Sequence, residues 1–334
     1  MDSIKYSSLI LALQMIKGVG PKTARQILIQ FKGEDLQKSD WLIRCHSSVI
    51  HKKVINGDLT GTDWLKAKEV AKESIKKSLD AGITVINFKD AAYPKNMSYL
   101  NNFPLILYVK GNLDLLNQKS VGFIGTRRPT KIGEMMSRRM AKKFAEDGYV
   151  IVSGLSVGTN TAAHLGALDV NDGKTIAILG ESLEQPIYPK ENTKLADEIL
   201  SRGGALVSTF RYGTMVKRQF LAARDEWESG MSDGLVVVET DQNGKTEMAL
   251  QHALKQHRKV GMLDHTQCAK ITDVTKIEEA INNQKFIKLG RALPLWSEDS
   301  LMNFEQQIDR ARKKRLSDKS ILFNQKGNNQ INLF

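Results

Sequence analysis

The sequence holds 334 residues, 41% hydrophobic and 26% charged, with a formal net charge of +12 at pH 7. That composition is globular and excludes a wholly disordered or collagen-like chain. No run approaches the ~18 consecutive apolar residues of a membrane span, and the two cysteines, Cys45 and Cys268, make no CxxC pair. A zinc finger or a disulfide scaffold is therefore not expected. No signal peptide is read at the N-terminus, and a reducing cytoplasm is the expected setting. No cofactor and no metal site are expected.

The positive charge is unevenly spread. Residues 1–115 carry 17 basic and 11 acidic side chains, and residues 300–334 carry 7 and 3. The stretch between them is close to neutral. Two basic flanks around a balanced middle point to a polyanionic partner.

Taken in chain order, the first pattern is SSLILALQMI, then the turn Gly18-Val19-Gly20, then KTARQILIQF. Two helices joined by such a turn resemble a helix-hairpin-helix. Gly18 and Gly20 permit positive φ and leave amides free near the second helix. Lys22 and Arg25 fall on one face of it. A hairpin of this kind grips a phosphate backbone without reading bases. Residues 35–90 read as helical and polar. The stretch around Tyr93-Pro94 and Phe103-Pro104 reads as a joint, so residues 1–90 are expected to form a helical N-terminal domain.

From Ser120 strands and helices alternate. SVGFIG, YVIVSG, TIAILG, ALVST, LVVVE and KVGML are short, β-branched and apolar on both faces, as buried parallel strands are. IGEMMSRRMAKKFAEDG is an amphipathic helix with Ile132, Met136, Met140 and Phe144 on one face. The fold class is therefore α/β, a Rossmann-like doubly wound parallel sheet over residues 91–290. Its strand-to-helix loops share one edge, where ligands bind. Those loops carry Gly125-Thr126-Arg127-Arg128, with Lys131 opening the next helix, then Gly154, Gly158 and Thr159. Gly180-Glu181-Ser182 and Gly244-Lys245-Thr246 follow. Glycine lets backbone approach a ligand, helix N-termini attract phosphate, and paired arginines add bidentate contacts. Neither the dinucleotide fingerprint nor a Walker A loop is present.

GTRRPTKIG, VSGLSVGTNTAAHLGAL, AILG, YPKEN and GMSDGLVVVET, in that order, resemble the DNA-processing protein A (DprA, or Smf) family over about residues 95–265. The resemblance implies an extended Rossmann domain that binds single-stranded DNA, protects it and loads a RecA-type recombinase. It also implies a homodimer. Gly125, Arg127, Arg128, Gly154, Gly158 and His164 would line the DNA-facing pocket, with Arg224 close by. Three motifs depart from the family pattern. Gly158-Thr159-Asn160 stands where Gly-Ile-Asp is usual, and Ser208-Thr209-Phe210 where Ser-Glu-Phe is usual. Arg224-Asp225-Glu226 stands where the family has Arg-Asn-Arg before an apolar pair. An acid in place of that second arginine would repel phosphate.

A second resemblance offers the alternative function. Gly244-Lys245-Thr246-Glu247 after an apolar strand resembles the Gly-x-Gly-Thr-x-x-Glu element of lysine-decarboxylase-like (LOG) phosphoribohydrolases. It would make the chain a Rossmann-type nucleotide-binding protein, or a nucleotide N-glycosidase with Glu247 as catalytic candidate. An early helix position favoured by the macrodipole explains Glu247 equally well.

Residues 291–334 are expected to form a basic, largely disordered tail after a short helix over 297–307. The last five residues end in Gln330, Leu333 and Phe334. QINLF resembles the short peptide that docks into the bacterial sliding clamp. Leu333 and Phe334 would fill an apolar pocket and Gln330 would hydrogen-bond beside it.

Overall fold

The computed structural model describes residues 2–215, 218–240, 245–269, 271 and 277–317. The chain opens with five helices: α1 (Ser3–Met15), α2 (Pro21–Gln30), α3 (Trp41–Arg44), α4 (Ser48–Ile55) and α5 (Gly61–Asp80). A turn over residues 16–20 joins α1 to α2. Its left-handed residue is Gly18, at φ 86°, whereas Gly20 is extended and precedes Pro21 at the start of α2. α1 buries Leu9, Ile10, Leu11, Ala12 and Leu13, so it is a central element and not an amphipathic surface helix. Trp41 and Trp64 meet edge to face at 5.1 Å, both fully buried.

The sheet begins earlier than its pattern suggested. β1 (Thr84–Asn87), α6 (Lys95–Ser98) and β2 (Ile106–Gly111) precede the six expected strands. These are β3 (Ser120–Ile124), β4 (Val150–Gly154), β5 (Thr175–Leu179), β6 (Ala205–Ser208), β7 (Gly234–Val237) and β8 (Lys259–Leu263). Between them lie α7 (Lys131–Glu146), α8 (Thr159–Leu168), α9 (Thr193–Ser201), α10 (Arg218–Met231) and α11 (Lys245–Lys255). α12 (Glu278–Lys288), β9 (Leu293–Leu295) and α13 (Glu298–Ser317) close the described chain.

Nine strands form one sheet in the order β1-β2-β6-β5-β4-β3-β7-β8-β9. From β6 to β9 every pair is parallel; β1 and β2 add antiparallel at one edge. The fold is the expected doubly wound α/β sheet. The face predicted for α7 holds, with Met136, Met140 and Phe144 buried against the sheet. Strand order steps both ways from β3, through β4 on one side and β7 on the other, which places a switch point beside β3.

The helical region and the sheet share one apolar core. A continuous cluster runs from Leu9, Trp41 and Trp64 to Val85, Leu107, Val152 and Val207. A polar knot joins them as well: Asp90 accepts hydrogen bonds from Ser3 Oγ (2.7 Å) and from the Asn87 amide (2.8 Å).

The C-terminal helix corrects the expectation of a short helix followed by a disordered basic segment. α13 continues ten residues past Gln307. The reason lies in Asp233, which is fully buried before β7. It accepts from Arg312 Nη1 (2.6 Å), Arg315 Nη2 (2.8 Å), the Ser120 amide (3.0 Å) and Asn96 Nδ2 (2.9 Å). Two of the tail's arginines thus turn inward to a buried carboxylate and fix the last turns of the helix.

Candidate nucleic-acid interface

The C-terminal ends of β3 and β4 and the flanking helices enclose a cleft of about 270 Å³. Gly125, Thr126, Arg127 and Arg128 form one wall, Ser156 and Asn160 a second, Arg224, Asp225 and Glu228 of α10 a third, and Thr246 of α11 a fourth. Residues from three of the four loops read from the sequence line this cleft; Gly180, Glu181 and Ser182 are not in its lining.

Two glycines make the convergence possible. Gly158 has φ 81°, and a Cβ there would stand 2.5 Å from the Arg127 carbonyl oxygen. Only glycine allows that turn and that approach together. At Gly154 a Cβ would lie 2.5 Å from Glu228 Oε1 and 2.7 Å from Arg224 Nη2. The end of β4 is thus the surface on which the α10 side chains rest. The first loop is held from below. Thr159 Oγ1 donates to the Thr126 carbonyl (3.0 Å), and the Thr126 amide donates to the Glu239 carbonyl (2.9 Å). The Glu239 carboxylate, fully buried at the end of β7, accepts from the Thr130 amide (2.8 Å) and hydroxyl (2.6 Å) and lies 2.8 Å from His265 Nε2. Thr130 in turn caps α7 through the Gly133 amide.

The second loop is locked to YPKEN. Asn192 Nδ2 donates to the Leu155 carbonyl (2.9 Å) and to Thr161 Oγ1 (2.9 Å). Asn160 is pinned within the same loop, accepting from Ser156 Oγ (2.6 Å) and donating to Ser153 Oγ (2.5 Å).

Arg127 and Arg128 are exposed at the mouth, while Arg224 is buried in the floor, its Nε 3.7 Å from Glu228 Oε1 and 3.5 Å from Asp225 Oδ1. Glu228 is only 2% exposed. Burial, reinforced by the Asp225 charge, pushes its carboxyl up to about 8; Arg224 offsets this only in part. Burial thus favours the neutral form of Glu228. The cleft then presents three guanidinium groups against one carboxylate, a setting for an anion.

The other expected site residues separate into groups. Gly154, Thr159 and His164 are buried behind the wall, and Gly158 shapes the turn beside it. His164 does not line the pocket: it is wholly buried, with Nδ1 2.7 Å from the Thr175 hydroxyl and Nε2 donating to the Gly154 carbonyl (3.0 Å). Burial pulls its pKa down to about 4. It is a neutral strut between β4 and β5. Lys131 is exposed at the start of α7, outside the lining. Thr246 lines the cleft, whereas Glu247 sits with Asn282 Nδ2 at 3.3 Å and is not in the lining. Lys245 begins α11, and its side chain lies outside the described residues. Gln330, Leu333 and Phe334 also lie outside them. In the hairpin, Lys22 is exposed and the Arg25 guanidinium lies over the Phe103 ring at 5.4 Å. Arg25 is thus committed in part to holding the hairpin against the chain that leads into β2.

Glu226 does not face the cleft; its carboxylate is 3.8 Å from His252 Nδ1. The repulsion expected from it at this edge does not arise. The acids in the cleft are Asp225 and Glu228, and of these sequence reasoning passed over Glu228. Its signal was Trp227-Glu228, where the resemblance leads one to expect two apolar residues. Among the described residues no group of His, Cys, Asp and Glu is placed to hold a metal ion. No described helix is long and apolar enough to cross a membrane.

Comparison with known proteins agrees with this architecture. Residues 84–302 match the family model for DNA recombination-mediator protein A. DNA processing protein DprA of Streptococcus pneumoniae is 34% identical over 171 residues, 51% of this chain and 59% of that one. DprA of Bacillus subtilis is 30% identical over 182 residues, 54% and 60%. The chain thus spans about three fifths of the length of these curated relatives. The X-ray structure of the S. pneumoniae protein superposes with a TM-score of 0.70 at 23% identity, covering 91% of this chain and 98% of that one. DNA processing protein A from Helicobacter pylori superposes with a TM-score of 0.56 at 25% identity, covering 70% and 96%. With the family model matched from β1 into α13, this chain belongs to the DNA recombination-mediator protein A family, also called DprA or Smf.

Proposed function

We propose that the chain binds single-stranded DNA through the cleft at the C-terminal ends of β3 and β4. The observation that carries this is the arginine trio: Arg127 and Arg128 exposed at the mouth and Arg224 in the floor. The H. pylori relative is described as having a single-stranded DNA binding mode. The proposed role is in DNA recombination or uptake, in the cytoplasm. It extends to loading of a RecA-type recombinase, to a homodimer, and to sliding-clamp docking through Gln330, Leu333 and Phe334. The α1–α2 hairpin is proposed as a second phosphate grip, through Lys22.

The test is a mobility shift on oligonucleotides at two salt concentrations. Binding weakens with salt, and Arg127→Ala with Arg128→Ala lowers both affinity and salt dependence, by about one unit of log–log slope for each phosphate no longer held. No binding at low salt refutes the proposal. A second function has one observation in its favour: a cleft of about 270 Å³ holding Asp225 and Glu228 is the size of one nucleotide and carries two carboxyl groups. Incubation with nucleoside monophosphates, assayed for free base, separates a nucleotide-cleaving protein from a DNA-binding one.

A further inference from the structure

A second groove, of about 630 Å³, lies between the helical region and the sheet. α1 contributes Gln14 and Met15, β2 contributes Tyr108, the loop after β6 contributes Phe210 and Arg211, and α10 contributes Trp227. None of the described residues that line it is Asp or Glu. Arg211 is exposed at its rim, and the Tyr108 hydroxyl, dominated by its burial, feels the opposing charges of Arg211 and of Glu184, which is not in the lining. Tyr108 is 2% exposed, and its hydroxyl has no hydrogen-bond partner among the described residues. A buried, unpaired phenol on the wall of an open groove needs a polar group from outside to satisfy it.

The helix α10 borders both this groove and the arginine cleft. Arg224 lines the cleft and Trp227 the groove, three residues apart on one helix. At 1.5 Å rise per residue that is roughly 5 Å, close to one nucleotide step. A strand that follows α10 from Arg224 would meet Trp227 about one nucleotide further on.

We infer that this groove docks unpaired nucleobases of the same strand, with Trp227 and Phe210 as flat contact surfaces, Tyr108 and Gln14 as partners for a base edge, and Arg211 holding the adjoining phosphate. The inference rests on the proposed DNA binding at the cleft. Its basis is the chemistry of the described lining: rings to stack on, donors and acceptors for an edge, a cation at the rim and no acid. An aliphatic side chain from a partner protein would leave the Tyr108 hydroxyl unsatisfied.

The experiment compares a natural oligonucleotide with one of equal length whose residues are abasic, so that phosphates remain and bases are gone. The full chain is to bind the natural strand about tenfold more tightly, the scale of one stacked base. Trp227→Ala, and Trp227→Leu as a variant that keeps bulk, are to remove that preference and leave abasic affinity unchanged. Arg127→Ala with Arg128→Ala is to weaken both strands alike. Equal binding of the two strands by the parent chain overturns the groove but not the cleft. Loss of abasic binding in both Trp227 variants also overturns it, because Trp227 then only supports the fold. A change of oligomeric mass in those variants with the base preference intact assigns the groove to a second copy and overturns it too. Failure of both strands to bind at low salt removes the cleft reading itself.

Discussion

Glu228 offers the sharpest test of the site's electrostatics, through Glu228→Gln. The amide keeps the shape and hydrogen-bonding capacity of the neutral acid but does not titrate. In the unfolded chain the carboxyl ionises near its ordinary 4.5, and in the folded chain near 8. A folded pKa raised above the unfolded one favours the native state at low pH and penalises it as pH rises. The penalty grows from about pH 4.5 and levels off above about pH 8. Three to four units at 1.36 kcal/mol each set its ceiling at about 5 kcal/mol. The expected result is that wild type loses stability relative to Glu228→Gln between pH 5 and pH 8, read from urea midpoints, and then runs parallel to it. Ionisation also lowers the lining from a net charge of +2 to +1, so oligonucleotide affinity of the wild type falls above about pH 8 while that of the variant holds. Parallel stability profiles across pH 5–9 would show that Glu228 is ionised throughout and paired with Arg224, and would refute the neutral-floor account.

His164 runs the other way. Its folded pKa of about 4 lies below the ordinary 6.5, so stability is lost as pH falls from 6.5 toward 4, by about 3 kcal/mol; His164→Gln, which still donates to the Gly154 carbonyl, flattens that limb of the urea profile. Asp233→Ala strands Arg312 and Arg315 and costs about 3 kcal/mol by denaturant unfolding, with α13 exchanging amide protons faster. Gly158→Ala forces a Cβ against the Arg127 carbonyl in a left-handed turn; about 2 kcal/mol of stability and a weaker mobility shift are expected together. A peptide spanning residues 326–334 is expected to bind a sliding clamp at about micromolar affinity, abolished when Leu333 and Phe334 become alanine; absence of titratable binding in calorimetry disproves the clamp link.

The six parallel strands were legible because each is a β-branched run buried on both faces, a pattern few other structures produce. β1 and β9 were not: β9 has only three residues, and β1, TVIN, begins on an exposed residue and ends on a polar one. β9 also carries Pro294, tolerated because it is the edge strand. β2 was masked by the prolines before it, which read as a joint. The converging glycine loops were legible, since their order and the handedness of the crossovers fix a common edge. The inward turn of Arg312 and Arg315 was not, because nothing local distinguishes a solvated arginine from one that reaches a carboxylate some 80 positions away. Glu228 was hidden for the same reason: an acid on an amphipathic helix reads as surface until the chain that buries it is in place.

The apolar core shared by the helical region and the sheet has a mechanical consequence. A module tethered by a linker samples many separations from its neighbour, and its two contacts on a polymer add through effective concentration. Here α1 and α2 are set against β1 and β2 by common packing, the Asp90 knot and the stacking of Arg25 on Phe103. The distance from Lys22 to the arginines of the cleft is fixed by the fold. If both touch one strand, the protein acts as a gauge: strands shorter than that span engage one end only, and affinity rises with length in a single step instead of gradually.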